Sequence, residues 1–201
     1  MERKEKEILS KIFCLSLEGS KGFERLGEDL DDKELQILNS LQEKGYIDKK
    51  EVTLTDKGRK IIKVILAGGV FDIIHPGHIY TLNHAKNLGD ILIVSVARDS
   101  TVRKMKGREP LHNEKERLKL VSSLKMVDLA LLGSEKDIFE TVIKVKPDVI
   151  VLGYDQRHNE RELIARGKKE NLDFQVIRLS SPIPHVKTSN IVADEDSLKE
   201  I

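Results

Sequence analysis

Two histidines three residues apart, His75 and His78, stand with Pro76 and Gly77 between them in the stretch AGGVFDIIHPGHIYTL, residues 67 to 82. Imidazole donors at that spacing can bond the oxygens of a polyphosphate and hold charge as it develops on phosphorus, with no covalent role. Gly68 and Gly69, just before them, remove side chains where a ligand would approach the main chain. A helix beginning at Pro76 or Gly77 would turn unpaired N–H groups and a positive dipole end toward the same anion. His84, His112 and His158 have no partner at a meaningful spacing and read as surface or internally satisfied side chains.

Such a cradle needs a strand to deliver it and a helix to receive it, and both are legible from Val64 onward. Short runs rich in Val, Ile and Leu at 63–67, 91–97, 129–132, 149–152 and 175–179 read as strands buried on both faces. Helical patterns fill the gaps at 77–87, 114–124 and 137–145. The second follows Asn113, with Glu116 three residues on as a capping box, and the third stops before Pro147. The alternation predicts an α/β fold, a doubly wound parallel sheet with helices on both faces. Charged stretches at 98–117 and 153–171 are expected to be largely loop.

The first residues follow a different hydrophobic period, and the predicted division is a domain of 1–62 followed by one of 63–201. Helical patterns run over 5–17, around 23–30 and over 32–44, where Leu35, Leu38 and Leu41 share a face. Two short extended runs at 46–48 and 52–54 then suggest a hairpin, and Thr55 can cap a last short helix. The order resembles a small winged helix-turn-helix domain. Residues 1 to 63 hold 14 Lys or Arg against 14 Asp or Glu, and Asp31, Asp32, Glu34 and Glu43 crowd the helix in the recognition position. Carboxylates there would repel phosphate rows, so DNA is a partner of second choice, behind pairing into a homodimer or a regulatory contact.

Composition removes several other classes of function. No apolar run of the 201 residues approaches the roughly 20 needed to span a bilayer, and MERKEKEILSKIF is not a secretory leader, so no membrane role and a cytoplasmic location are expected. Cys14 is the only cysteine, which rules out an internal disulfide or a cysteine zinc cage; its apolar neighbours suggest a buried small hydrophobe. A net charge of +1 leaves no global cationic field, so any anion site is local.

The segment from Gly69-Val70-Phe71-Asp72 to His75-Pro76-Gly77-His78 resembles the HxGH signature of the nucleotidyltransferase superfamily in its cytidylyltransferase-like branch, over about residues 64–192. That resemblance implies a Rossmann-like fold in which a substrate phosphate oxygen attacks the α phosphorus of a nucleoside triphosphate and pyrophosphate leaves in line. It implies catalytic roles for His75, His78, Lys106, Arg117, Thr188 and Ser189. Nucleotide-binding roles follow for Gly69, Val70, Phe71, Asp72, Pro76, Gly77, Lys104, Gly153 and Asp155, with Arg108 a further phosphate candidate. Mg2+ would bridge the triphosphate oxygens, and no protein metal ligand is assigned. The phrases LGDILIVSVARDSTVRKMKGREP and KPDVIVLGYDQ are similar to archaeal FAD synthases, which implies transfer of AMP from ATP to FMN. The alternatives are a CTP-dependent cytidylyltransferase acting on an acceptor such as glycerol 3-phosphate, and a regulator that senses nucleotide or flavin through this fold.

Overall fold

The computed structural model describes residues 1–19, 30–154, 156 and 158–180. Chain contacts divide it into two compact units, residues 1–63 with 89–91, and 64–88 with 92–201.

In the first unit, α1 (Arg3–Glu18) buries Ile8, Leu9, Ile12, Phe13 and Leu15 along one side. It packs on α2 (Asp32–Glu43), which contributes Leu38 and Leu41. Asp31 starts α2 through a reciprocal cap: it accepts from the Glu34 N–H at 2.8 Å while the Glu34 carboxylate accepts from its own N–H at 3.0 Å. Leu35, expected on the buried face, is instead 39% exposed. Leu35 stands three residues before Leu38, so the 300° step places it at the edge of a stripe that Leu38 and Leu41 occupy. The expected hairpin is reduced to one antiparallel bridge, Ile47 to Leu54. Thr55 caps α3 (Asp56–Arg59), its Oγ1 accepting from the Gly58 N–H at 3.2 Å. The helix expected around 23–30 lies outside the described residues but for Leu30, which is not helical. Cys14 is half-buried rather than buried.

The second unit is a five-stranded sheet in the order β3-β2-β1-β4-β5, made of β1 (Val64–Gly69), β2 (Ile91–Val96), β3 (Leu129–Leu132), β4 (Val149–Leu152) and β5 (Gln175–Arg178). Parallel ladders set Ile65 opposite Val149, Val94 opposite Ala130 and Ile150 opposite Val176. Hydrogen bonds from Ile91 N to Lys63 O and from Ala97 N to Gly69 O, one at each end, run β1 and β2 in the same direction. Every residue of β2 and β4 is buried, as unbroken Ile, Leu and Val runs require when helices cover both faces. The core joins Ile65, Ala67, Leu92, Val94, Val149 and Val151 to Phe71, Leu82, Ala85 and Val121. Each of the buried Val, Leu, Ile and Phe side chains contributes about 1.5–3 kcal/mol.

The connecting helices are α4 (Pro76–Lys86), α5 (Asp99–Lys106), α6 (Glu114–Ser122), α7 (Ile138–Val145) and α8 (Glu160–Lys169). Two of them correct the reading of 98–117 and 153–171 as charged loops. α5 carries one fully buried residue, Val102, and α8 only Leu163 and Gly167, so neither shows an apolar stripe in its sequence. Their ends are nonetheless marked. Gly107 takes the left-handed conformation (φ +68°) that closes α5, and the Asn159 side chain accepts from the Arg161 and Glu162 N–H groups to open α8. Among the described residues no helix is long and apolar enough to cross a membrane.

Candidate functional site: a twin-imidazole helix start at the sheet switch point

The chain leaves β1 for β2 on one side, while β4 and β5 continue the sheet on the other. The carboxyl ends of β1 and β4 therefore flank the point where strand order reverses, the place where open parallel sheets hold ligands. The motif region stands on this crevice. β1 ends at Gly69, and a Cβ there would come within 2.9 Å of the Phe71 ring, so glycine at 69 makes room for that ring rather than for a ligand alone. Phe71 takes a positive φ of 54°, a strained choice for a non-glycine residue, and in exchange its ring is buried, 5.0 Å from the His78 ring.

Pro76 opens α4 at its first turn and His75 is the N-cap, as the motif predicts. His75 makes no side-chain capping bond, and no acidic residue stands in the first turn of the helix, where a carboxylate would neutralise the positive dipole end. The two imidazoles stack, centroids 3.9 Å apart and planes inclined by 30°. Burial above all, then the neighbouring His75 and Lys106, push the His78 pKa down to about 3, against a backbone hydrogen bond to Ile73 that raises it. At neutral pH His78 is thus an uncharged imidazole held beside a helix start.

The electrostatic reach of Lys106 to His78 brings the last basic residue of α5 into the same site. Lys104 is exposed and two residues earlier, about 200° around the helix, so the pair expected together on a loop is turned onto different sides. Asp72, Arg108 and Arg117 hold partners within the protein. The Asp72 carboxylate has no exposed surface and accepts from Arg108 Nη2 at 3.0 Å, from the Leu111 N–H at 2.7 Å and from the His112 N–H at 3.3 Å. Arg117 is wholly buried and donates to Val70 O (2.6 Å), His112 O (2.9 Å) and Asp99 Oδ1 (2.7 Å). These two side chains lock the Val70–Asp72 segment to the 108–113 loop, immediately before the histidines; they brace the cradle. Val70 takes part through its carbonyl.

Several side chains that sequence reasoning passed over share this work. Glu114 accepts from Arg98 Nη1 at 2.7 Å and from the Asp99 N–H at 2.9 Å, which closes the start of α5 and holds the Glu114 carboxyl below its ordinary range, the Asp99 N–H being the larger cause. On the other flank the Gly153 carbonyl accepts from Arg178 at 3.0 Å, and Gln156 Nε2 donates to Gly68 O at 2.6 Å. An Asn just before a helix hints at a cap; nothing in the sequence marks Gln156 or Arg178 as partners of residues 88 and 25 positions away. Asp155, Thr188 and Ser189 lie outside the described residues.

Strand ends that part at the switch point, a helix start and two stacked imidazoles thus meet at one end of the sheet. A family model described as cytidylyltransferase-like matches residues 66–194, and the chain belongs to that family. Among its relatives, the FAD synthase of Thermoplasma volcanium is 48% identical over 128 residues, 64% of this chain and 89% of the relative. The FAD synthase of Methanothermus fervidus is 56% identical over 117 residues, 57% of this chain and 80% of the relative. That of Methanosarcina barkeri is 48% identical over 132 residues, 65% and 94% of the two chains. A solved structure described as a lipopolysaccharide core biosynthesis protein, also from Thermoplasma volcanium, shares 49% identity with a TM-score of 0.58 and covers 60% of this chain and 98% of its own.

Proposed function

We propose that this protein is an FMN adenylyltransferase: it moves AMP from ATP to FMN, giving FAD and pyrophosphate. The observation that carries the reading is the stacked histidine pair, with His78 uncharged, at a helix start on the sheet's switch point, in a chain with FAD synthase relatives at 46–56% identity. The FMN phosphate oxygen attacks the α phosphorus of ATP, the bond to the bridging oxygen breaks, and the electron pair leaves with pyrophosphate. His75 and His78 donate hydrogen bonds to the oxygens that gain charge, and the α4 dipole favours the same negative charge. Lys106 adds a full positive charge on the far side. Thr188 and Ser189 belong to the leaving-group end, and Asp155, with the Gly153 turn, to the nucleoside end.

Among the described residues no three potential ligands gather around a cation, and the Asp72 carboxylate is closed off by Arg108 and two N–H groups. A divalent ion would enter with the substrate, on the triphosphate, as Mg2+ commonly does. ATP and CTP, each with FMN or glycerol 3-phosphate, separate the readings by pyrophosphate release. Release with ATP and FMN alone supports the adenylyltransferase; release only with CTP and glycerol 3-phosphate replaces it with the cytidylyltransferase; release with no pair favours a sensor.

A further inference from the structure

The β1–β4 ladder makes its last paired register at Ala67 and Val151, so the Gly68 carbonyl lies one residue beyond it, where the two strand ends part. One side chain crosses that opening. Gln156, four residues past β4, donates from Nε2 to Gly68 O at 2.6 Å. Gly68 O can only accept, which assigns the amide nitrogen to that side. The turn that carries Gln156 is itself gripped from β5. Arg178 donates from Nη1 to Gly153 O (3.0 Å) and Gln156 O (2.9 Å), from Nη2 to His158 O (2.7 Å) and from Nε to Glu160 Oε1 (2.9 Å). One planar fork thus makes four bonds, to Gly153, Gln156, His158 and Glu160.

We propose that Gln156, oriented by Arg178, is a positioning residue for the nucleotide. It ties the glycine turn that leads into the histidine pair to the turn that carries Gly153, and so sets the spacing between the phosphate end and the nucleoside end of the crevice. The proposal rests on the nucleotide reading above. The fixed crevice spares the bound nucleotide the entropy of ordering two turns, so loss of the bridge weakens nucleotide binding more than it slows chemistry.

Gln156→Glu tests this with a built-in rescue. At pH 8 the carboxylate has no donor for Gly68 O and sets charge against it, whereas the protonated acid regains one donor with nearly the same shape. The facing carbonyl favours that neutral form and raises the carboxyl above its usual ~4.3. Calorimetric binding of MgATP to the full chain is measured at pH 8 and pH 5 and compared with wild type at each. The expected result is about tenfold weaker binding at pH 8, a gap narrowing to within about threefold at pH 5, and an unchanged KM for FMN. Arg178→Lys should retain more affinity than Arg178→Met. Equal binding by wild type and Gln156→Glu at pH 8, or a deficit identical at both pH values, overturns the positioning role. A wild type that binds MgATP but makes no FAD defeats only the acceptor assignment and leaves this comparison valid; one that binds neither ATP nor CTP defeats both.

Discussion

His78 should make the protein less stable as the medium turns acid, by an amount its surroundings fix. Its pKa lies at about 3 against an ordinary 6.5. Between those values the unfolded chain takes up a proton that the folded chain refuses, so the stability from a neutral, buried His78 is complete above about pH 6.5 and drains away as pH falls toward 3. Each pH unit across that window is about 1.4 kcal/mol, and from pH 7 to pH 5 this one group removes about 2 kcal/mol. The perturbation is His78→Gln, which keeps a donor of similar length and cannot titrate. Urea unfolding followed by circular dichroism at pH 7, 6 and 5 gives both curves, with the sheet unit's transition as the readout. Wild type should lose about 2 kcal/mol more than the variant between the ends of the series. Parallel curves would mean that His78 is charged or exposed in the folded state, and the uncharged-donor argument would fall with them.

Arg117→Met removes three donors and leaves Asp99 and the Val70 and His112 carbonyls without a partner, so a loss of about 3–5 kcal/mol is expected in urea midpoints. A change under 1 kcal/mol would contradict the bracing role. Lys106→Ala, at an exposed position, should leave unfolding within about 0.5 kcal/mol of wild type. It should also slow pyrophosphate release about tenfold and raise the His78 pKa, followed by NMR titration of the imidazole; an unmoved titration would remove Lys106 from the site. Gly69→Ala drives a methyl to within 2.9 Å of the Phe71 ring and should cost about 1–3 kcal/mol, with an upfield or downfield shift of the His78 ring protons as Phe71 moves; unchanged shifts would show that the ring does not depend on glycine there.

The sheet was readable because its central strands are rich in Val, Ile and Leu that a doubly covered layer hides. The capping box at Asn113 and Glu116 and the Pro76 start were readable because caps are local. α5 and α8 escaped because Val102 and Leu163 are lone apolar anchors in charged surroundings; packing at one point, with caps at the ends, suffices to hold them. The site divided in the same way. The spacing of His75 and His78 announces a shared helix end, but the roles of Asp72 and Arg117 depend on burial, which side-chain type does not reveal. A basic residue in a phosphate-binding protein invites a ligand role; Arg117 has instead no exposed surface, and each of its three nitrogens donates within the protein. Gln156 and Arg178 act across sequence gaps that no local pattern spans.

The most direct test of the central claim follows the α phosphate itself. The full chain is incubated with ATP labelled at the α phosphorus, Mg2+ and FMN, and the products are separated by chromatography, wild type beside His78→Ala. The label should appear in FAD, equimolar with pyrophosphate, and the variant should form it at least about a hundredfold more slowly while unfolding as a cooperative protein. Label that stays in ATP or emerges as free AMP, or a His78→Ala variant within a few fold of wild type, would contradict adenylyl transfer by the paired histidines.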